Sequence, residues 1–342
     1  MKRIVLIMTA VILALIASTA AFAAENLAEE RTPLQGLDRV ESVVYGAPLS
    51  GGLLLRLSKV EQDLFGMELP GSLTERQQAL QAFVEDGNEN QPSLLFKLGV
   101  AEWVTLRRTD PALPLADRIE SLESTLEGAT QEGALSARLE RILTKLLPGG
   151  VQATSVQIPA ATVFKAKFTE TLTVRNVQKG DRVALELIED CVINGTLAAA
   201  KGNRVFAEVT KVKMPRSFGR ASEIGVEFQS VESIGGTQVP VVLGPEAKKA
   251  MEVDSAAVGA VGTSFAATVL LGPVGLPFGF LVRGNDKQIP EGSLIYVETT
   301  EYANVQGYAA TNLLENMSRG SDESGGDPAD TDSSGSDTDT TY

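Results

Sequence analysis

The sequence has no histidine and a single cysteine, Cys191, in 342 residues. Without imidazole, Ser–His–Asp and Cys–His catalysis are excluded, and the commonest metal ligand is missing. One thiol closes no intramolecular disulfide and builds no multi-cysteine zinc site. In the run Asp190-Cys191-Val192 it reads as a small buried hydrophobe on a strand. A basic surface is also lacking. Lys plus Arg total 30 against 44 Asp plus Glu, a net charge of −14 that repels nucleic-acid phosphates. Glu189-Asp190 is the one acidic pair on a strand-like run, and adjacent strand residues point to opposite faces, so the two cannot share a glycosidase-type site. The expectation is a non-enzymatic protein with no catalytic, cofactor-binding or metal residues and no nucleic-acid partner. A last absence is local. No charged residue stands between Asp254 and Arg283.

At the start of the chain, Lys2 and Arg3 precede an apolar run from Ile4 to Ile16. Small residues follow, with an Ala-x-Ala exit at Ala21 and Ala23 before Ala24 and Glu25. A charged end, an apolar middle and a small-residue exit are the pattern of a signal peptide over residues 1–24. An uncleaved anchor helix is the competing reading, since Ile4 to Ala24 is just long enough to span a bilayer. Either way the expectation is an exported protein, in the periplasm or outer membrane of a bacterium.

Residues 25–150 repeat themselves. Leu-x-x-Arg recurs at Leu53/Arg56, Leu73/Arg76, Leu115/Arg118 and Leu135/Arg138. Val40-Glu41-x-x-Val44-Tyr45-Gly46 resembles Val60-Glu61-x-x-Leu64-Phe65-Gly66 and Leu122-Glu123-x-x-Leu126-Glu127-Gly128. Apolar residues at i, i+3 and i+7 make one helical stripe, and the glycine suits a helix C-terminus that needs positive φ. The spacing predicts short amphipathic helices of about ten residues, too short to stand alone. Residues 85–98 read as a connector, and Trp103 beyond them as core. Arg56, Arg76, Arg118 and Arg138 have two readings: pairing with neighbouring glutamates, or a set of cations for an anionic polymer. Leu147-Pro148-Gly149-Gly150 ends the unit.

From residue 151 the period changes to two. Alternating runs at Thr162–Phe168, Val183–Ile188, Val205–Val212, Ile224–Val231 and Gln238–Leu243 are separated by turns at Lys179-Gly180-Asp181, Asn194-Gly195, Lys201-Gly202-Asn203 and Gly235-Gly236. Ser293–Thr299 reads as the closing strand. Short strands at this spacing predict an antiparallel sandwich or barrel. Three alike segments, at Ile158-Pro159, Ala199-Ala200 and Ile289-Pro290, each lead into a strand through a tight turn.

On these residues the stretch 157–305 resembles a known family. Ile158-Pro159-x-x-Thr162, Lys179-Gly180-Asp181-Arg182-Val183, the Lys201-Gly202 turn, and the Arg220–Gln229 strand before Gly235-Gly236 are similar to the C-terminal β-barrel of the outer-membrane channel subunit of type IV secretion and conjugative transfer machines. Related uncharacterised secreted bacterial proteins share the pattern. The resemblance implies a β-barrel and, in its apolar insert, contact with the outer membrane. That insert is 255–282, with Gly259, Phe265, Leu270, Leu271, Gly275, Gly279 and Phe280 as its candidate membrane or packing residues. As one helix it would run about 42 Å, and Pro273 and Pro277 forbid that, so the expectation is a helix over Ser255–Leu271, a turn, and an apolar return. Internal packing against the protein is the alternative to membrane contact; exposure to water is excluded in both.

Residues 308–319 read as a short helix, and 320–342 as a disordered acidic tail of Ser, Asp, Gly and Thr. The sequence therefore predicts an α+β protein: N-terminal short-helix repeats, then an antiparallel β-barrel or sandwich over 151–307 with an apolar insert, then the tail. Its expected role is structural or in assembly at the cell envelope, with envelope proteins or copies of itself as partners and outer-membrane lipid as a contact. A ring-forming channel subunit of a secretion-like machine is the alternative.

Overall fold

The computed structural model describes residues 33–87, 91–214, 222–258, 269–270, 279–284 and 288–309. The signal-peptide reading, the acidic tail and most of the apolar insert lie outside the described residues. The chain divides into two units, one helical up to Gly150 and one mainly of strands from Val151.

Among the described residues six α-helices build the first unit: α1 Pro33–Tyr45, α2 Leu53–Phe65, α3 Leu73–Gln81, α4 Leu94–Leu106, α5 Leu115–Glu127 and α6 Leu135–Leu146. A π-helical turn, Ala82–Asp86, continues α3. The predicted stripes are the buried faces: Leu37, Val40 and Val44 on α1, Leu57, Val60 and Leu64 on α2, Ile119 and Leu122 on α5, Leu139 and Ile142 on α6. Gly66 and Gly128 end their helices at φ +76, where a side chain would be strained. At the start of α3, Ser72 and Glu75 form a reciprocal capping box. The connector expected over 85–98 is shorter than predicted, because α4 already begins at Leu94. Its Leu94, Phe96, Leu98, Val100 and Trp103 are all buried, so this helix is apolar on more than one face and its periodicity was hidden.

The second unit holds β1 Ala153–Ile158, β2 Val163–Phe168, β3 Arg182–Leu187, β4 Cys191–Ile193, β5 Thr196–Ala199, β6 Arg204–Lys213, β7 Ser222–Glu232, β8 Gln238–Val242, helix α7 Pro245–Val258, β9 Val269–Leu270, β10 Gly279–Gly284, β11 Leu294–Thr299 and β12 Ala303–Ala309. Strands β6-β3-β2-β11-β8-β7 pair in that order, and β6 pairs again with β7, so six strands close into an antiparallel barrel. Two register shifts in the β6–β7 pair, at Phe206/Ala207 and Val209/Lys211, supply the extra twist that closure needs. The barrel interior is filled with aliphatic side chains and three phenylalanines, Phe164, Phe168 and Phe228. A second sheet, β1-β12-β5-β4, adds Val156, Ile158, Ala198, Ala199 and Val305 to the same core.

Ser293–Thr299 is found as the closing strand: β11, the last barrel strand along the chain, pairs with β2, the first, and with β8. One expectation is corrected here. Tyr308 and Ala309 belong to β12, paired with Leu197 and Thr196, so the helix expected over 308–319 does not start there; the neighbouring β5 offers a free ladder that outweighs local helix propensity.

The lead-in turns are one device used four times. Residues 159–162, 178–181, 200–203 and 290–293 each form a turn closed by a bond from the fourth amide to the first carbonyl, with positive φ at the third residue. That third amide donates across to the neighbouring strand: Ala161 to Thr299, Gly292 to Phe168, Gly202 to Leu187, Gly180 to Val209. Thus β2 and β11 fasten each other's lead-in turns, and so do β3 and β6. Three of the four turns use glycine at the strained place; Ala161 occupies it at φ +59. A left-handed alanine costs about 1–2 kcal/mol, and glycine returns about half of that through its freer unfolded chain. Ala161→Gly is therefore expected to stabilise the barrel by about 0.5–1 kcal/mol. Urea unfolding followed by circular dichroism checks this; a lower midpoint for the variant would contradict the turn geometry.

Candidate functional site

Among the described residues charge gathers in both units, and one constellation in each involves elements that pack on one another. In the helical unit all four repeat arginines point at a glutamate of the preceding helix. Arg56 Nε lies 2.9 Å from Glu41, Arg76 Nε 2.9 Å from Glu61, Arg118 Nε 2.8 Å from Glu102, and Arg138 Nε 3.1 Å from Glu123. In each pair Nη2 takes the second carboxylate oxygen, giving a two-point bond. The carboxylates also close the loops. Leu49, Asp110 and Gln131, each eight residues after its glutamate, donate a backbone N–H to it. All four glutamates are buried.

The series has ordered ends. The middle helices α2 and α5 carry both an arginine facing back and a glutamate facing forward, Arg56 with Glu61 and Arg118 with Glu123. Five residues after Arg76 and Arg138 stand Gln81 and Leu143 instead, and five before Glu41 and Glu102 stand Gly36 and Lys97. Each run of three helices therefore starts and stops itself. Of the two readings of the arginines, the geometry favours glutamate pairing, because the four guanidinium groups face inward and are occupied.

Glu123 has the densest set of partners: Arg138, Arg141 and the Gln131 amide. Burial pushes its carboxyl upward, but the bonds from Arg138, Gln131 and Arg141 together outweigh burial and hold it below the usual carboxylate range. A depressed carboxylate contributes stability that is present above the unfolded value, about 4.3, and lost as pH falls through the folded value. The helical unit should accordingly lose stability in acid, below about pH 4.5, and Glu123→Gln should flatten that loss. Arg138→Ala should cost about 2–4 kcal/mol, somewhat under a fully enclosed pair because Arg138 keeps a solvent edge, whereas Arg141→Ala, further exposed, should cost under about 1 kcal/mol. Trp103, the sole tryptophan and fully buried in α4, reports the transition by fluorescence. Equal costs for the two arginines would sink this assignment.

In the β unit the charge lies on the outer face of β2 and β11, under α7. Inward residues Phe164, Ala166, Phe168, Ile295 and Val297 alternate with outward Lys165, Tyr296 and Glu298. Helix α7 crosses these outward positions. Glu298 accepts the Ala247 N–H at 2.6 Å, a carboxylate at a helix N-terminus where the backbone dipole favours negative charge. Gly244 makes room for it: a Cβ there would stand 1.9 Å from the Glu298 oxygen. Further along the helix, Asp254 lies 3.2 Å from Lys165 Nζ, which sits 5.3 Å over the Tyr296 ring and 3.9 Å from Glu189. Bonds from Tyr296 and then Lys165 lower the Asp254 carboxyl; the Tyr296 bond chiefly raises Lys165; burial chiefly raises Tyr296. All three move away from neutrality, the opposite of what a proton-transfer group needs. Lys165, Tyr296, Glu298 and Asp254 were not singled out from sequence. A charged residue on a strand's polar face reads as solvated, and only the helix lying over it changes that.

The acidic pair Glu189-Asp190, expected on a strand, lies instead in the bend between β3 and β4; its two carboxylates still part, Asp190 accepting the Lys201 N–H while Glu189 is exposed beside Lys165. Cys191 is partly buried against the core, and burial pushes its thiol up to about 11. Among the described residues no cluster of His, Cys, Asp and Glu could hold a metal, and no helix is long and apolar enough to cross a membrane.

The apolar insert leaves from α7 and returns on β10. The helix expected over Ser255–Leu271 is corrected: helix persists to Val258, but Val269 and Leu270 form β9, paired with Val282 and Leu281 of β10. β10 in turn pairs along β7, Gly279 with Glu227 through Gly284 with Ser222. The reason is an available edge. β7 extends past β8, its barrel partner on that edge, and the β-branched, glycine-bearing insert satisfies its backbone there more readily than as a helix. Of the insert residues, Leu270 lies on β9, Gly279 and Phe280 on β10; Gly259, Phe265, Leu271 and Gly275 lie outside the described residues, as do Ala21, Ala23 and Ala24.

No protein-family model matches this sequence, and no curated protein matches it. Among solved structures, ComB10 of the Com type IV secretion system of Helicobacter pylori is loosely similar, with a TM-score of 0.22 and 10% identity over 43% of this chain and 88% of that one.

Proposed function

We propose that this chain is an exported, non-enzymatic component of the bacterial cell envelope, structural or assembling, that acts in the periplasm or at the outer membrane. The observation that carries the reading is the anchored apolar insert. An uncharged stretch between Asp254 and Arg283 springs from a helix bound to the barrel wall and comes back as a strand of the same sheet. So large an apolar segment needs cover, by lipid, by a partner protein or by a second copy. The leader pattern of residues 1–24 supports export. The aliphatic filling of the barrel and the ion-paired state of the buried carboxylates support a scaffold rather than a reaction centre.

A ring-forming channel subunit is the second reading. Strand edges favour it: among the described residues β9 ends one sheet while β1 and β4 end the other, and an unpaired ladder is a template for a neighbouring chain.

Cell fractionation and flotation with phospholipid vesicles test both readings. The mature protein is expected to co-float, and deletion of 255–282 to abolish flotation while the Trp103 signal of the helical unit persists. Sedimentation of the detergent-extracted protein separates a ring from a single chain. A protein that is monomeric and stays soluble without vesicles or detergent would contradict both.

A further inference from the structure

The geometry points to α7 as a releasable strap: a helix fastened to the outside of a barrel that is complete without it, able to detach as a unit while the strands stay folded. This goes beyond the envelope reading and does not depend on it.

The first observation is where the helix lies. It contacts β11 and β2, whose core-facing residues are already turned inward, so the strands lose none of their mutual pairing when α7 leaves. The second is what fastens it. Of its described side chains only Ala247 and Met251, one helical turn apart, join the hydrophobic core. The remaining ties are polar and sit at two places: Glu298 on the Ala247 amide near the start, Asp254 on Lys165 and Tyr296 further on. The opposite side of the helix is open to solvent, with Glu246, Lys249, Glu252 and Val253 exposed. The third is what release uncovers. Release uncovers Lys165, Tyr296 and Glu298, of which Glu298 is buried under the helix and Tyr296 packs partly on the core, together with the small apolar area under Ala247 and Met251, whereas lifting a strand would bare the barrel core. Apolar burial resists separation in proportion to its area, which is small here, and the part-exposed Lys165–Asp254 pair exchanges its partner for water at little net cost, the buried Glu298 bond being the firmer tie. The helix is thus the segment of this unit with the least to lose by opening, and local opening of such a segment precedes global unfolding.

Amide hydrogen exchange on the full mature chain, at neutral pH and across sub-denaturing urea, tests the strap. Amides of α7 from Lys248 to Asp254 should exchange at least about tenfold faster than the slowest amides of β2 and β11, with little dependence on urea, as for an opening that exposes little surface. Asp254→Asn, and separately Glu298→Gln, should speed α7 exchange about 3- to 10-fold and leave β2 and β11 unchanged. If α7 exchanges together with β2 and β11, at the same rate and urea slope, the strap is wrong. If α7 opens separately but neither substitution alters its rate, the fastening assigned here is wrong. Should a substituted chain fail to fold, the urea dependence of the unaltered protein still decides between local and global opening.

Discussion

A charge at the wrong end of its own helix is the constraint around which the helical unit is built. Arg56, Arg76, Arg118 and Arg138 each sit in the first turns of a helix, where the backbone already presents positive charge, while Glu41, Glu61 and Glu123 sit toward the opposite, negative end of theirs. Neither placement helps an isolated helix. Both become favourable only when the next helix folds back so that the arginine meets the glutamate. Helices of 9 to 13 residues have little independent stability, so the pair makes helix formation and helix docking one event. Because the glutamate also takes the loop amide eight residues on, the same carboxylate sets the loop length. The single extra residue between Glu102 and Arg118 is absorbed without loss of either bond. A buried ion pair adds little net energy compared with an apolar pair, but it tolerates no wrong register, and register is what stacked short helices otherwise lack.

In the β unit the equivalent constraint is closure. An open antiparallel sheet of six short strands would leave two edges and one wet face on its apolar side. Pairing β6 with β7 removes the edges, and the two register shifts let the long strands turn. Once closed, the barrel fixes everything outside it. β7 reaches past β8, so the edge left open there takes β10; β8 delivers the chain to Gly244, so α7 starts where Glu298 waits on β11. The reciprocal lead-in turns tie neighbouring strands at both ends, which explains why the alike segments at Pro159, Ala200 and Pro290 share hydrogen bonds although only two of them carry proline.

Legibility in the sequence follows the same physics. The six barrel strands were readable because one face is apolar and the other polar, which imposes a period of two, and because their turns need glycine. The repeat helices were readable because the pairing fixes Leu-x-x-Arg and Val-Glu at constant spacing. What escaped was short or buried on both faces. β5 reads Thr-Leu-Ala-Ala, all buried, with no alternation to betray it; β4 is three residues; β12 carries Gly307, whose Cβ would collide with the Leu197 carbonyl of β5 at 2.8 Å, so that glycine marks a close strand approach and not a turn. The insert reads as a helix because its alanines favour one locally, whereas the β7 edge that pairs with β10 lies far away in sequence, Gly279 meeting Glu227 and Gly284 meeting Ser222. The charged outward positions of β2 and β11 could not be told from ordinary solvated ones.

Taken together, the two units place their charges by opposite rules, and the difference bears on what each can do. In the helical unit the charges are interior and paired at two points, so moving one helix strands a buried ion; such a unit holds its shape. In the β unit the charges lie outside a core that is already closed, and α7 rests on them; such a surface can be uncovered without unmaking the barrel. The apolar insert starts from that helix. A greasy segment attached to the rigid unit would have to find its cover in one fixed orientation. It is attached instead to a helix held by two small apolar contacts and two polar ties on one side, and to an extended strand on the other, both outside the closed barrel core. The envelope role proposed above would use that division between a part that keeps its form and a part that can yield.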